Sequence, residues 1–197
     1  MLFDLLNISI IEDILNPMDT YSYFTDGAAT MVNKNGKYIR KAGGWAFIQF
    51  KNGERQSQQS GGCKQTTNNE MELYAIYASF LDFKDKSKSN DKIEIYTDSG
   101  YCIGIFTQWA KNWQKRGWKK SDNKPIENLE IIKIIWDLMK DLEEMKCEIM
   151  FVKVKGHSGN ALNNEVDRMA VEAKKSAEKT GKTIGYANRP DPILGKK

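Results

Sequence analysis

The chain has little that binds soft metals or staples a fold: one histidine and three cysteines in 197 residues. Cys63, Cys102 and Cys147 are odd in number, far apart and free of Cys-x-x-Cys spacing, which argues against both a disulfide scaffold and a thiolate zinc site. Such sparse cysteine fits a reducing compartment, so an intracellular, cytoplasmic protein is expected. A long apolar run is also missing. The stretch from Leu2 to Leu15 is broken by Asp4, Glu12 and Asp13, lacks a basic leader and is too short to cross a bilayer. No membrane partner is expected. There is no internal repeat or low-complexity tract. With 40% apolar and 11% aromatic residues, the chain suits one packed domain with short appendages. We expect an N-terminal extension over residues 1–20, a main domain over 21–178 and a flexible basic tail over 179–197.

Charge is present but unevenly spread. The net value is only +4, yet Leu2 to Asp19 carries four acids and no base, while Lys111, Lys115, Arg116, Lys119, Lys120 and Lys124 face a single Asp122. Trp109, Trp113 and Trp118 interleave with these cations. A local patch of this kind suits phosphates.

The apolar patterning alternates first with period two and then with period 3.6. Tyr21 to Thr30, Trp45 to Phe50 and Arg55 to Lys64 read as strands, separated by the turn cluster Asn33-Lys34-Asn35-Gly36 and by Asn52-Gly53, which makes a β-meander. From Asn69 onward Leu73, Ile76, Tyr77, Phe80 and Leu81 mark one face of a helix, which Asn68 or Asn69 can cap. Lys92 to Thr97 is a short buried strand. Ser99 to Thr107 and Trp109 to Lys115 read as short helices, and Ile132, Ile135, Trp136, Met139 and Leu142 as a longer amphipathic one. Glu148 to Val154 is the last strand. Val166, Met169, Ala170, Ala173 and Ala177 give the final helix stripe. The fold class is α/β, a mixed sheet with helices on both faces.

Four carboxylates stand at the ends of these elements: Asp26 in Thr25-Asp26-Gly27, Glu72 after Asn68-Asn69, Asp98 in Thr97-Asp98-Ser99, and Asp167 beside Val166. Any one of them alone reads most simply as a turn residue or a solvated charge. Parallel pairing of the strands that carry Asp26 and Asp98 can bring those two together, and the helical pair lies at the margins of buried faces. Gathered carboxylates repel and raise one another's pKa unless a cation neutralises them, and oxygen-only ligands favour Mg²⁺ or Mn²⁺ over zinc. His157 sits between Gly156 and Gly159 in a loop, with an ordinary pKa of about 6.5 that lets it exchange protons near neutral pH.

In this order, with Lys155-Gly156-His157-Ser158-Gly159 ahead of Asp167, with Thr107-Gln108-Trp109 and with Asn112-Trp113-Gln114-Lys115-Arg116-Gly117-Trp118, the segments closely resemble the type 1 ribonucleases H. The resemblance runs from about Tyr21 to about Lys175. It implies a ribonuclease H-like mixed five-stranded sheet, with residues 21–178 as the catalytic domain of a monomer. It also implies an endonuclease that hydrolyses the RNA strand of an RNA/DNA hybrid with two Mg²⁺ ions, Mn²⁺ being possible, and leaves 5′-phosphate and 3′-hydroxyl ends. Asp26, Glu72, Asp98 and Asp167 match the family's metal ligands, and His157 its loop histidine, a proton-transfer or product-release group. Thr67 matches a phosphate contact and Asn68 and Asn69 the readers of the RNA minor groove. Trp109 matches the DNA channel, and Lys115, Arg116, Lys119 and Lys120 the backbone contacts of its basic handle. Two departures stand out: Gly100 where many relatives carry glutamine, and the segment Thr30 to Asn35 in place of a glycine- and asparagine-rich turn. A non-catalytic hybrid-binding module and a DNA-processing nuclease of the same broad fold are the competing readings.

Overall fold

The computed structural model of the protein describes residues 17–156 and 160–188. Strands β1 (Thr20–Lys34), β2 (Lys37–Lys51) and β3 (Glu54–Thr66) form the expected antiparallel meander. Both of its turns are two residues long. Asn35 and Gly36, and then Asn52 and Gly53, all take positive φ, which matches the right-handed twist of the flanking strands. β1 and β2 run further than their apolar alternation predicts, to Lys34 and from Lys37, so a hairpin extends past the packed part of the sheet.

Helix α1 (Asn68–Lys86) follows, then β4 (Lys92–Thr97). The sequence pointed to Asn68 or Asn69 as the cap of α1. Thr67 takes that place: its hydroxyl accepts the Glu70 N–H at 3.2 Å. The helix starts one residue earlier than expected, and Asn68 Oδ1 instead accepts the Ala29 N–H at 3.1 Å. After β4, α2 (Gly100–Gly104) continues through a wide turn over Ile105–Trp109, where the Ala110 N–H reaches back five residues to Ile105, into α3 (Ala110–Lys115). The two expected short helices are therefore joined. α4 (Leu129–Glu144), β5 (Glu148–Lys153) and α5 (Ala161–Thr180) complete the chain of elements.

The sheet order is β3-β2-β1-β4-β5, with β4 parallel to both neighbours. The mixed five-stranded sheet is the expected one. Tyr21, Tyr23, Trp45, Phe47, Ile93 and Ile95 pack on one face against α1 and α4. On the other face Ala28, Ala46 and Ile48 meet Val166 and Ala170 of α5. The strand order reverses at β1 and β4, the place where open α/β sheets leave a crevice.

Beyond α5 the chain turns back onto the sheet instead of leaving it. Ile184 N–H donates to Gly62 O at 2.7 Å, Trp45 Nε1 donates to Ile184 O, and the buried Tyr186 hydroxyl donates to Asp82. Residues 184–186 are thus held, where the sequence suggested mobility from Gly181. Few apolar side chains are needed because backbone bonds and one tyrosine do the docking. The N-terminal stretch Leu2 to Leu15 and the end of the tail lie outside the described residues.

Candidate active site

Pairing between β1 and β4 ends at Phe24 opposite Tyr96. Two residues further on stand Asp26, still within β1, and Asp98, just past the end of β4. Glu72 joins them from the second turn of α1, and the three carboxylates offer oxygens that all lie within 4.8 Å of one another. Gly27 makes this approach possible. A β-carbon there would stand 2.2 Å from Glu72 N, so any side chain would push α1 off the strand. Asn68 Nδ2 lies 3.5 Å from Glu72 Oε1 while its Oδ1 holds the Ala29 amide, which ties the start of α1 to β1.

Asp167 arrives on α5, from the face of the sheet opposite α1 and shared by Asp26. α5 lies directly on β2, since a β-carbon at Gly44 would stand 2.1 Å from Ala170 O. The result is an open cleft of about 260 Å³ whose walls include Asp26, Glu72, Asp98 and Asp167 together with Asn68 and Asn163. Asn163, buried one helical turn before Asp167, was not singled out from the sequence. Its i, i+4 spacing from Asp167 was the available signal.

The cleft is electrostatically unsatisfied. Burial, then the charges of Asp98 and Asp167, push the Asp26 carboxyl up to about 7, against a lowering hydrogen bond from the Gly27 N–H. Glu72 is 5% exposed and its carboxyl is driven well above the usual range, first by burial and then by Asp26 and Asp98. Its Oε2 is buried with no hydrogen-bond partner. A buried acceptor left unpaired costs about 1–3 kcal/mol, and more when charged. A hard divalent cation with oxygen ligands would satisfy that atom and offset the repulsion, so the donor set fits the metal that the sequence suggested.

His157 lies outside the described residues. Its neighbour Gly156 is placed tightly, however: a β-carbon there would stand 2.8 Å from Asp98 Oδ2, so the loop departs from beside the carboxylates. Thr67 caps α1 immediately before Asn68, and Asn69 follows on the first turn, half-buried. Gly100 is exposed, and the space above it opens toward Lys153.

The basic patch is a separate protrusion. Trp113 and Trp118 pack against the core, and a Schellman ending of α3, with Trp118 N–H to Trp113 O at 2.7 Å and Gly117 N–H to Gln114 O, folds the chain back on itself. Trp136 Nε1 donates to Gln114 Oε1, pinning the protrusion to α4. Two of the three tryptophans are therefore anchors. Trp109 is 39% exposed, seated over Gly104 with Tyr101 and Trp113 at its edges. Lys115, Arg116 and Lys119 are exposed and Lys120 half-buried, and none forms an ion pair among the described residues.

The RNase H family model matches residues 18–175. Ribonuclease H of Novosphingobium aromaticivorans is 35% identical over 150 residues, covering 76% of this chain and 93% of that protein. Ribonuclease H of Hahella chejuensis is 36% identical over 153 residues, covering 78% and 92%. Among solved structures, LC9-RNase H1, a type 1 RNase H with the type 2 active-site motif, superposes with a TM-score of 0.59 at 23% identity, over 87% of this chain and 80% of its own. LC11-RNase H1 in complex with RNA/DNA hybrid gives 0.53 at 16% identity, over 80% and 98%. At these identities the structures speak for the fold, and the sequence relatives carry the family.

Proposed function

The chain belongs to the RNase H family, and from that membership we propose how it acts: as an endonuclease that hydrolyses the RNA strand of an RNA/DNA hybrid within the catalytic domain at residues 21–178. The observation that carries the reading is the buried, unpartnered Glu72 oxygen set among Asp26 and Asp98. A protein that only bound polyanions would gain nothing from carboxylates concentrated there. Family membership brings divalent metal use with it. Four carboxylates match the charge of two divalent ions, so we take the complement as two Mg²⁺, with Mn²⁺ able to use the same oxygens. Bound there, the metal supplies positive charge that lowers the pKa of an attacking water and neutralises the departing 3′ oxygen.

This chain's residues do the rest. Asp26, Glu72 and Asp98 hold their oxygens in one place before substrate arrives, so little reorganisation is needed at reaction. Asp167, from α5, completes the set. Asn68 orients Glu72 at the rim, and its amide faces the cleft where ribose 2′-hydroxyls would lie, with Asn69 beside it. Thr67 keeps a hydroxyl proton free to donate to a phosphate while accepting the cap bond. His157 serves proton transfer or product release. Trp109 and the four cations of the protrusion carry the DNA strand. The cut leaves 5′-phosphate and 3′-hydroxyl ends, and the protein acts as a monomer. Among the described residues no helix is long and apolar enough to cross a membrane.

The deciding experiment is digestion of a strand-labelled RNA/DNA hybrid with and without Mg²⁺, beside a DNA duplex carrying one ribonucleotide. We expect metal-dependent cutting inside the continuous RNA stretch and little at the single ribonucleotide. Binding without cutting would favour the hybrid-binding module, and cutting of plain DNA would favour the DNA-processing nuclease.

A further inference from the structure

The hairpin tip of β1 and β2 is unlike the rest of the sheet. From Thr30 to Lys41 every residue is exposed, including Met31, Val32, Tyr38 at 70% and Ile39. β3 pairs no further than Lys41 opposite Thr66, so Met31 to Arg40 is a two-stranded ribbon with both faces open. An isolated two-stranded ribbon is at best marginally stable in water, and this one leaves four large apolar side chains in solvent. A partner is called for.

Charge selects the partner. No Asp or Glu occurs from Gly27 to Gly53, whereas the ribbon carries Lys34, Lys37 and Arg40, with Lys41 at its root. Register places Lys34 opposite Lys37 at the tip, adjacent cations that repel unless an anion lies between them. The three lysines form no ion pair among the described residues. Arg40 is bonded to Glu70 on the first turn of α1 at 3.2 Å, which fixes the root of the ribbon to the cleft rim. Ala28 and Ala29, where the ribbon begins, line the cleft itself.

We propose that this ribbon is a second substrate grip, a basic arm that lies along the hybrid beyond the cut site and contacts its phosphates through Lys34, Lys37 and Lys41, with Tyr38 packing on sugar or base. The idea rests on the RNA/DNA-hybrid reading above. At about 3.3 Å per residue the arm reaches about 15–20 Å past the rim, room for several phosphates of one strand. Two-stranded β-ribbons are narrow enough to enter a nucleic-acid groove.

The test compares the full chain with a Lys34→Ala, Lys37→Ala, Lys41→Ala variant, which touches only exposed positions, by fluorescence anisotropy in chelator on hybrids of about 8 and about 24 base pairs. For the long hybrid the slope of log K against log salt should fall by about 2, at about 0.7–0.9 per lost contact, and for the short one, which reaches only Lys41 at the root, by less than about 1. Tyr38→Ala should weaken long-hybrid binding without altering the slope. Equal slopes for variant and wild type on the long hybrid, while the wild type still cuts hybrid in Mg²⁺, would overturn the arm alone. An equal loss on both lengths would overturn its placement beyond the cut site. Failure of the wild type to cut hybrid at all would instead sink the underlying function.

Discussion

The cleft and the basic protrusion use charge in opposite ways. In the cleft, carboxylates from β1, α1, the end of β4 and α5 are crowded and partly desolvated, and Asp26 and Glu72 hold their protons more tightly than free carboxyls do. On the protrusion, cations stay in water while tryptophans secure the backbone beneath them. Concentrated charge that must act on a bond is built into the core and destabilises it. Charge that, on the proposed function, only holds a polyanion is left at the surface, where it costs little and salt tunes it.

The largest effect should follow from removing one charge in the cleft. Asp98→Asn keeps size and fold but should reduce Mg²⁺-dependent turnover on hybrid by more than about 10³-fold, measured at saturating substrate. Near wild-type turnover in a folded variant would mean that Asp98 is not a ligand.

The next difference is in stability. Asp26 and Glu72 have folded pKa values above their unfolded ones, Asp26 moving from 3.8 to about 7, so the folded state binds more protons over that window. Stability from these groups is therefore fully present below about pH 4 and is lost as pH rises toward 7. In chelator, the melting temperature of wild type relative to Asp26→Asn should drop between pH 5 and 7.5, by the equivalent of about 1–4 kcal/mol. Mg²⁺ should reverse the drop. Parallel pH profiles for the two proteins would contradict the repulsion picture.

At the protrusion, alanine at Lys115, Arg116, Lys119 and Lys120 should weaken hybrid binding and flatten its salt dependence by about 0.7–0.9 log units per lost phosphate contact, with turnover at saturation changing less. If the slope stays where it was, these cations are ordinary solvated side chains. The smallest effect is assigned to His157→Ala, a loss of about 10²-fold or less, since water can partly replace a proton relay. A variant matching wild type from pH 6 to 9 would make the histidine a bystander.

Much of this was legible before the fold was known, because the relevant signals are local. Alternation marked the meander, helical stripes marked α1, α4 and α5, and carboxylates at element ends marked the cleft. What escaped depends on contacts that leave no period. Thr67 and not its asparagine neighbours caps α1 because Asn68 is engaged across the cleft rim with β1, a long-range contact. The tail docks through backbone bonds of Ile184 and the Tyr186 hydroxyl, not through a stripe. Apolar alternation in β1 stops at Thr30, where burial stops, yet hydrogen bonding to β2 continues to Lys34. Asn163 reads as an ordinary polar helix residue until α5 is laid on the sheet.

The site's assembly from distant parts of the chain has a consequence during synthesis. β1, α1 and β4 can pair as soon as they leave the ribosome, but α5 comes last, and with it Asp167. A nascent or truncated chain that lacks α5 would already carry the basic ribbon and protrusion, yet it would lack a carboxylate of the cleft and the helix that covers Ala46 and Ile48. The cleft thus gains its fourth carboxylate only when the final helix docks, so that completion of the fold and completion of the proposed site are one event.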